Sequence, residues 1–199
     1  MGNECKGFRM VVPYHIILAS NSPRRRELLS GLDLDYEVKV LPDIQETYPA
    51  DLPTAEIPLY IAAEKADAYR NEMKPGELII TADTVVVLGN KVLGKPADFD
   101  EASRMLHALS GHTHQVITGV CLTTLEKQRR FSVSTNVTFG TLTDDEIQYY
   151  VEKYRPLDKA GAYGIQEWIG YIGVTGLEGS YYNVMGLPVQ RIYSELKLF

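Results

Sequence analysis

Between an apolar run and a helical pattern the chain reads Ser20-Asn21-Ser22-Pro23-Arg24-Arg25-Arg26. Ser22 suits an N-cap and Pro23 the first helical position, so the arginines would open a helix. A helix start presents unpaired amides and the positive end of the dipole. With two hydroxyls and adjacent guanidinium groups it offers the chemistry of a phosphate or carboxylate cradle. Successive helical residues are rotated by roughly 100°, so at least one of the three arginines must point away from any shared ligand. The bland alternative is a capped surface helix with solvated arginines.

A second candidate is Asp83, in Ala82-Asp83-Thr84, which interrupts the most apolar stretch of the chain, 78–88. A carboxylate there is costly unless it is paired, binds a metal or stands where a strand emerges at a cleft. The segment Gly89-Asn90-Lys91-Val92-Leu93-Gly94-Lys95-Pro96 has the glycine and lysine spacing of a Walker loop, but Pro96 stands where that loop needs Ser or Thr. Magnesium would lose its hydroxyl ligand, so a P-loop is rejected. Lys95 is left as a lone cation beyond a turn, able to point at phosphate, and Lys65 by itself reads as a snorkelling surface lysine. His112 and His114 would share a strand face but lack a third ligand, so a structural role is expected. The tyrosine-rich stretch over 149–182 reads as core and lobe packing.

The elements that must place these groups come in mixed order. A strand is expected over 14–19, then the helix from Pro23, ended by Gly31. A short strand over 36–41 precedes a polar, proline-rich loop over 42–53. The Ala/Leu/Ile spacing predicts a long helix over 54–71, with Pro58 tolerable only near its first turn. Gly89-Asn90 suits a hairpin turn, 98–109 a third helix, and 115–124 with 131–139 a long antiparallel hairpin turning near Glu126-Lys127. Thr143 and Glu146 form a capping-box pattern for a helix over 143–154, and a last helix is expected over 189–198. Such interleaving implies an α/β protein with a mixed sheet and helices packed on it.

At 199 residues the chain suits one domain, or one domain with two lobes around a cleft, and needs no disulfide or structural metal to hold a core. With 20 Lys and Arg against 26 Asp and Glu, the net charge of -6 argues against an extended nucleic-acid or anionic-membrane surface while allowing a small basic pocket. The two cysteines, Cys5 and Cys121, form no CxxC, which fits a reducing compartment and excludes a thiolate zinc site. Lys6 and Arg9 ahead of the run over 11–19 imitate a signal peptide, but Pro13 and His15 interrupt it. Lys6 stands where a myristoylation motif needs Ser or Thr, and no apolar stretch matches a membrane span. The expected address is the cytoplasm.

Six ordered segments carry a resemblance: Leu18-Ala19-Ser20-Asn21-Ser22-Pro23-Arg24-Arg25, Ala82-Asp83-Thr84-Val85-Val86, Leu93-Gly94-Lys95-Pro96, Leu109-Ser110-Gly111 with His114, Val116, Thr118 and Gly119, Asp158-Lys159-Ala160-Gly161-Ala162-Tyr163-Gly164-Ile165-Gln166, and Asn183-Val184-Met185-Gly186-Leu187-Pro188. Together they resemble the Maf family of nucleoside triphosphate pyrophosphatases, from about residue 14 to near the C-terminus. The resemblance implies one Maf-like domain over 1–199, with 1–13 as an N-terminal extension. Its implied fold is a mixed α/β sheet with flanking helices and two lobes around a cleft, similar to inosine triphosphate pyrophosphatases.

The implied activity is hydrolysis of a nucleoside triphosphate between its α and β phosphates to the monophosphate and pyrophosphate, with Mg2+ or Mn2+. The implied assembly is a homodimer. The run from Pro156 to Tyr163 and Gln166 bring the chain nearest the branch acting on dTTP and UTP. By the same resemblance Asp83 is the proton acceptor, and Arg24, Thr84 and Gln166 bear on substrate selectivity. Ser20, Arg25, Lys65 and Lys95 surround the phosphates, and Glu46 is an acidic loop position able, with Asp83, to hold the metal. Glu167 departs from the family, which more often has Gly there; an outward-facing, silent side chain is expected. The rivals are the 7-methyl-GTP branch and a non-catalytic regulator of septum formation.

Overall fold

A computed structural model describes residues 10–42 and 44–199. Cys5, Lys6 and Arg9 of the N-terminal extension and Asp43 of the polar loop lie outside the described residues; Met10 and Val12 already pack against the core.

Seven strands form one mixed sheet: β1 (His15–Leu18), β2 (Tyr36–Val38), β3 (Glu77–Leu88), β4 (Lys91–Leu93), β5 (Thr113–Thr123), β6 (Gln128–Phe139) and β7 (Val174–Glu178), in the order β2-β1-β3-β5-β6-β7 with β4 on β3. β1 lies parallel to β2 and β3; the remaining pairings are antiparallel. The helices are α1 (Pro23–Ser30), α2 (Ile57–Tyr69), α3 (Phe99–Leu109), α4 (Asp144–Tyr154), α5 (Trp168–Gly173), α6 (Tyr181–Met185) and α7 (Val189–Leu196), with short 3-10 turns after α2 and at Ala160–Ala162. This is the mixed α/β architecture that the interleaved patterns imply. No helix among the described residues is long and apolar enough to cross a membrane.

Local chemistry starts the elements where the sequence places them. Ser22 caps α1 by accepting from the Arg25 amide, and Thr143 with Glu146 completes a capping box on α4. Gly89, at φ +59, turns β3 into β4. α2 starts at Ile57, so Pro58 falls in the first turn.

β3 organises the packing. Its even-numbered residues Leu78, Ile80, Ala82 and Val86 join the main core with α1, α3, α4 and α7, while Ile79, Val85 and Val87 face α2. The antiparallel hairpin of β5 and β6 continues the sheet, and Gly119 of β5 lets α2 press against it: a Cβ there would stand 2.3 Å from the Leu59 nitrogen.

The expected interruption at Ala82-Asp83-Thr84 is absent, for β3 runs unbroken through it with Asp83 opposite Gly119 and Thr84 opposite Thr118. What breaks is pairing on the other edge. β1 covers β3 only as far as Ile80, and β4, running back along β3, ends opposite Val86. A notch of unpaired backbone lies between, and the polar residues sit in it.

Candidate active site

The notch opens at the carboxyl end of a parallel strand, where α/β sheets place their ligands. It forms a cleft of about 540 Å³. Ser20, Arg24, Arg25, Glu46, Lys65, Asp83, Thr84, Lys95 and Gln166 all line it, so the structure brings together the nine residues that the resemblance assigns to the site.

Asp83 points toward α2, as the strand alternation requires, and is only 9% exposed. Lys65 reaches it from α2: Nζ donates to Asp83 Oδ1 at 3.0 Å and lies 2.7 Å from Glu46 Oε1. At 12% exposure the Lys65 side chain is not the snorkelling surface residue that its helix position suggests. Its ammonium neutralises two carboxylates from different segments. Tyr69, one turn further along α2, donates to the Lys39 carbonyl and accepts from the Leu41 amide, anchoring the loop that carries Glu46.

Burial raises the Asp83 pKa by more than Lys65 and Arg25 lower it. For Glu46 the balance goes the other way: burial pushes upward, but the hydrogen bond and charge of Lys65, with Lys95 and Arg25, hold the carboxyl below its ordinary range. The two acids are thereby separated in basicity, the arrangement in which one accepts protons and the other stays ionised.

The three arginines diverge as helix geometry requires. Arg25 turns into the notch and donates to the Ala82 carbonyl at 2.9 Å, the Gly186 carbonyl at 2.8 Å and Thr84 Oγ1 at 3.1 Å. It thus occupies part of the unpaired edge of β3. Arg24 pairs with Asp158 at 3.0 Å on the cleft rim, and Arg26 turns to Asn21. The amide cradle is smaller than the motif suggests, because Ser22 takes the Arg25 and Arg26 amides through its side chain and carbonyl. Thr84 bonds Arg25 and Thr118, so it acts on the guanidinium as well as facing the cleft. Lys95 is exposed at the cleft beyond the β3–β4 hairpin.

At the other end, Gln166 lines the cleft with a buried Oε1 that lacks a partner. Contrary to expectation, Glu167 does not face outward. Its carboxylate accepts from the Tyr150 hydroxyl and lies 3.2 Å from Lys159 Nζ, because that buried lysine and phenol supply what a carboxylate needs. Sequence reasoning missed Asp158 and Lys159, which line the cleft and pair with each other at 2.8 Å. They lie inside a quoted motif, but adjacent opposite charges near a glycine give no signal of burial.

His114 takes the expected structural role, sharing a 2.6 Å hydrogen bond with Tyr163 beneath the cleft. The tyrosine-rich stretch is divided: Tyr150 and Tyr163 are core, while Tyr149, Tyr171, Tyr181 and Tyr182 are exposed.

Among the described residues no group of three or more His, Cys, Asp or Glu side chains could hold a metal. Glu46 and Asp83, brought together through Lys65, are two hard oxygen donors with no His or Cys beside them. That set suits magnesium or manganese, which take one or two carboxylates and complete their shell from water and phosphate.

The profile of the Maf-like protein family matches residues 15–199. A Phocaeicola vulgatus protein described as a dTTP/UTP pyrophosphatase is 68% identical over 184 residues, covering 92% of this chain and 95% of that one. Proteins of the same description are 64% identical in Bacteroides thetaiotaomicron, over 92% of this chain and 95% of that one, and 62% identical in Parabacteroides distasonis, over 94% and 96%. Among solved structures, a HAM1 protein from Coxiella burnetii superposes with a TM-score of 0.46 at 16% identity, covering 94% of this chain and all of that one.

Proposed function

The chain belongs to the Maf-like protein family, and from that membership we propose that it is a nucleoside triphosphate pyrophosphatase. It hydrolyses dTTP and UTP to the monophosphate and pyrophosphate, as one Maf-like domain over 1–199. The observation that carries the reading is the Lys65–Asp83 pair in the β3 notch. It places a carboxylate of raised pKa beside cations, and the three relatives of 62–68% identity carry the dTTP/UTP description.

A nucleoside triphosphate brings about four negative charges, which an acidic protein must meet locally. Arg25 and Lys65 supply positive charge behind the cleft, and Lys95 supplies an exposed one at its mouth; Ser20 and the start of α1 add hydrogen-bonding groups. Lys65 engages Asp83 through Oδ1, which orients the carboxylate and leaves Oδ2 to take a proton from the attacking water. In-line attack at the α-phosphorus then expels pyrophosphate, whose charge the same cations stabilise. Glu46 and Asp83 would hold a divalent cation, Mg2+ or Mn2+, which would neutralise phosphate charge when bound.

Gln166 fits the base end. It lines the cleft, and its carboxamide carries an acceptor and a donor together, the pair that the edge shared by uracil and thymine requires. Arg24 at the rim and Thr84 behind the phosphates complete the selectivity positions. The reaction proceeds in the cytoplasm, with a second copy of the chain as partner in a homodimer.

A product assay over dTTP, UTP, 7-methyl-GTP and the other canonical triphosphates tests the reading. Pyrophosphate should be the first product, and dTTP and UTP the best substrates. Initial orthophosphate would place attack at the γ-phosphate and overturn the reaction; a preference for 7-methyl-GTP would overturn only the branch.

A further inference from the structure

Thr84 and Thr118 stand opposite each other on the paired strands β3 and β5, and their hydroxyls meet at 2.9 Å. Thr118 is fully buried, and its Oγ1 has a second neighbour, the Asn183 backbone carbonyl at 3.2 Å. A carbonyl can only accept, so the single Thr118 proton goes to Asn183. Thr118 in turn accepts from Thr84, and the Thr84 proton is spent as well. What Thr84 offers Arg25 is a lone pair, which takes Nη2 at 3.1 Å. The relay therefore has one polarity, from Arg25 to Thr84, Thr118 and Asn183.

The other acceptor near the Thr84 proton is the Gly186 carbonyl. It stands at 3.5 Å, the limit of a hydrogen bond, and already accepts from Arg25 Nε at 2.8 Å. The far end of the relay is anchored. Asn183 is fully buried, and its Nδ2 donates to the Val116 carbonyl at 3.1 Å and to Thr135 Oγ1 at 3.0 Å, which holds α6 against β5 and β6. At the near end, three of the five Arg25 N–H groups meet acceptors among the described residues, and two are left for a phosphate. Two of those acceptors, the Ala82 and Gly186 carbonyls, are main chain. The Thr84 hydroxyl is the one that can rotate, and Thr118 is what stops it.

We propose that Thr118, one strand back from the cleft, is a positioning residue for phosphate binding: by taking the Thr84 proton it locks that hydroxyl as an acceptor and fixes the Arg25 guanidinium at its third point. Without the Thr118 hydroxyl the Thr84 proton is free to turn toward Arg25, where a donor meets a donor. The inference deepens the reading of the cleft as a triphosphate site and rests on it.

The test measures kcat and KM for UTP in wild type, T118V, T118A, T118S, T84V and the double variant T84V/T118V, with thermal melts of each. Thr118→Val keeps the shape and removes the hydroxyl, Thr118→Ala removes the hydroxyl and the volume, and Thr118→Ser keeps the hydroxyl. The expected result is a kcat/KM lower by about tenfold in T118V and T118A alike, mostly through a raised KM, the scale of one lost buried hydrogen bond. T118S should stay near wild type although it too loses a buried methyl, and T84V/T118V should be no worse than T84V alone, because the relay is already cut. Three results each overturn the inference: a kcat/KM unchanged in T118V and T118A, losses that follow the fall in Tm with T118S no better than T118A, or losses that multiply in the double variant. If wild type releases no pyrophosphate from UTP, the reading of the site fails and takes this inference with it; UTP turnover with an unchanged kcat/KM in T118V and T118A removes this inference alone.

Discussion

Lys65 Nζ donates to Asp83 Oδ1 at 3.0 Å, joining helix α2 to the unpaired edge of strand β3. The contact neutralises a buried carboxylate and aims it in the same geometry. Removing either partner therefore has distinguishable effects.

Asp83→Asn should fold and bind substrate yet lower kcat by at least ~100-fold, the scale of a lost general base. Pyrophosphate release beside a thermal melt checks it, and near-normal turnover would remove Asp83 from the chemistry. Because burial raises the Asp83 pKa, activity in wild type should be lost on acidification above the ordinary aspartate range. Lys65→Met removes a charge that opposes that rise, so the acid limb of kcat should move to still higher pH.

Arg25 and Arg24 should separate stability from rim binding. Arg25→Ala removes the charged donor to the Ala82 and Gly186 carbonyls and to Thr84, and bonds to a charged donor are worth about 1.5–3 kcal/mol each, so roughly 3 kcal/mol or more should be lost. That corresponds to a fall in Tm of about 6–12 °C for a chain of this size, with weaker substrate binding besides. Arg24→Ala breaks only a rim pair with the half-exposed Asp158 and should leave Tm within about 2 °C. Equal melting losses would contradict the division.

Gly119→Ala tests how α2 delivers Lys65. The added Cβ would lie 2.3 Å from the Leu59 nitrogen and 2.4 Å from the Pro58 carbonyl carbon, backbone atoms that cannot step aside. The helix must move off the sheet, at ~3 kcal/mol or more, and Lys65 moves with it. Denaturant melts should show the loss, and kcat should fall in the protein that remains folded. Unaltered stability would mean that the close approach is not needed.

His114 should impose a pH dependence on stability. Burial lowers its pKa to about 4, so the folded state holds it neutral while the unfolded chain titrates near 6.5. Below about pH 6.5 the unfolded state binds the extra proton. Stability is thus fully present above that pH and falls on acidification toward 4, by about 2 kcal/mol between pH 7 and pH 5. Urea melts of wild type and His114→Gln should show this dependence reduced in the variant; identical slopes would refute the assignment.

The sequence alone determined whatever depends on neighbours along the chain. The Ser22 cap with Pro23, the Thr143–Glu146 box and the Gly89-Asn90 turn are short-range patterns whose physics is complete within a few residues, and they formed as expected, as did the long antiparallel hairpin, although β5 is buried on both faces. Ordered motifs likewise gathered seven of the nine candidate residues before any fold was available, and the resemblance they carry added Glu46 and Lys65, which lie outside them. Only tertiary structure decided what those residues touch. The polar break at Asp83 is a gap in pairing on one strand edge, created by where β1 and β4 each end, and no local pattern encodes it. Lys65 looked solvated because its helix shows no sign of the carboxylates that meet it, and Glu167 looked outward because Lys159 and Tyr150 reach it from other segments. A charge is placed by its partner, and the partners here are joined by packing, not by sequence spacing.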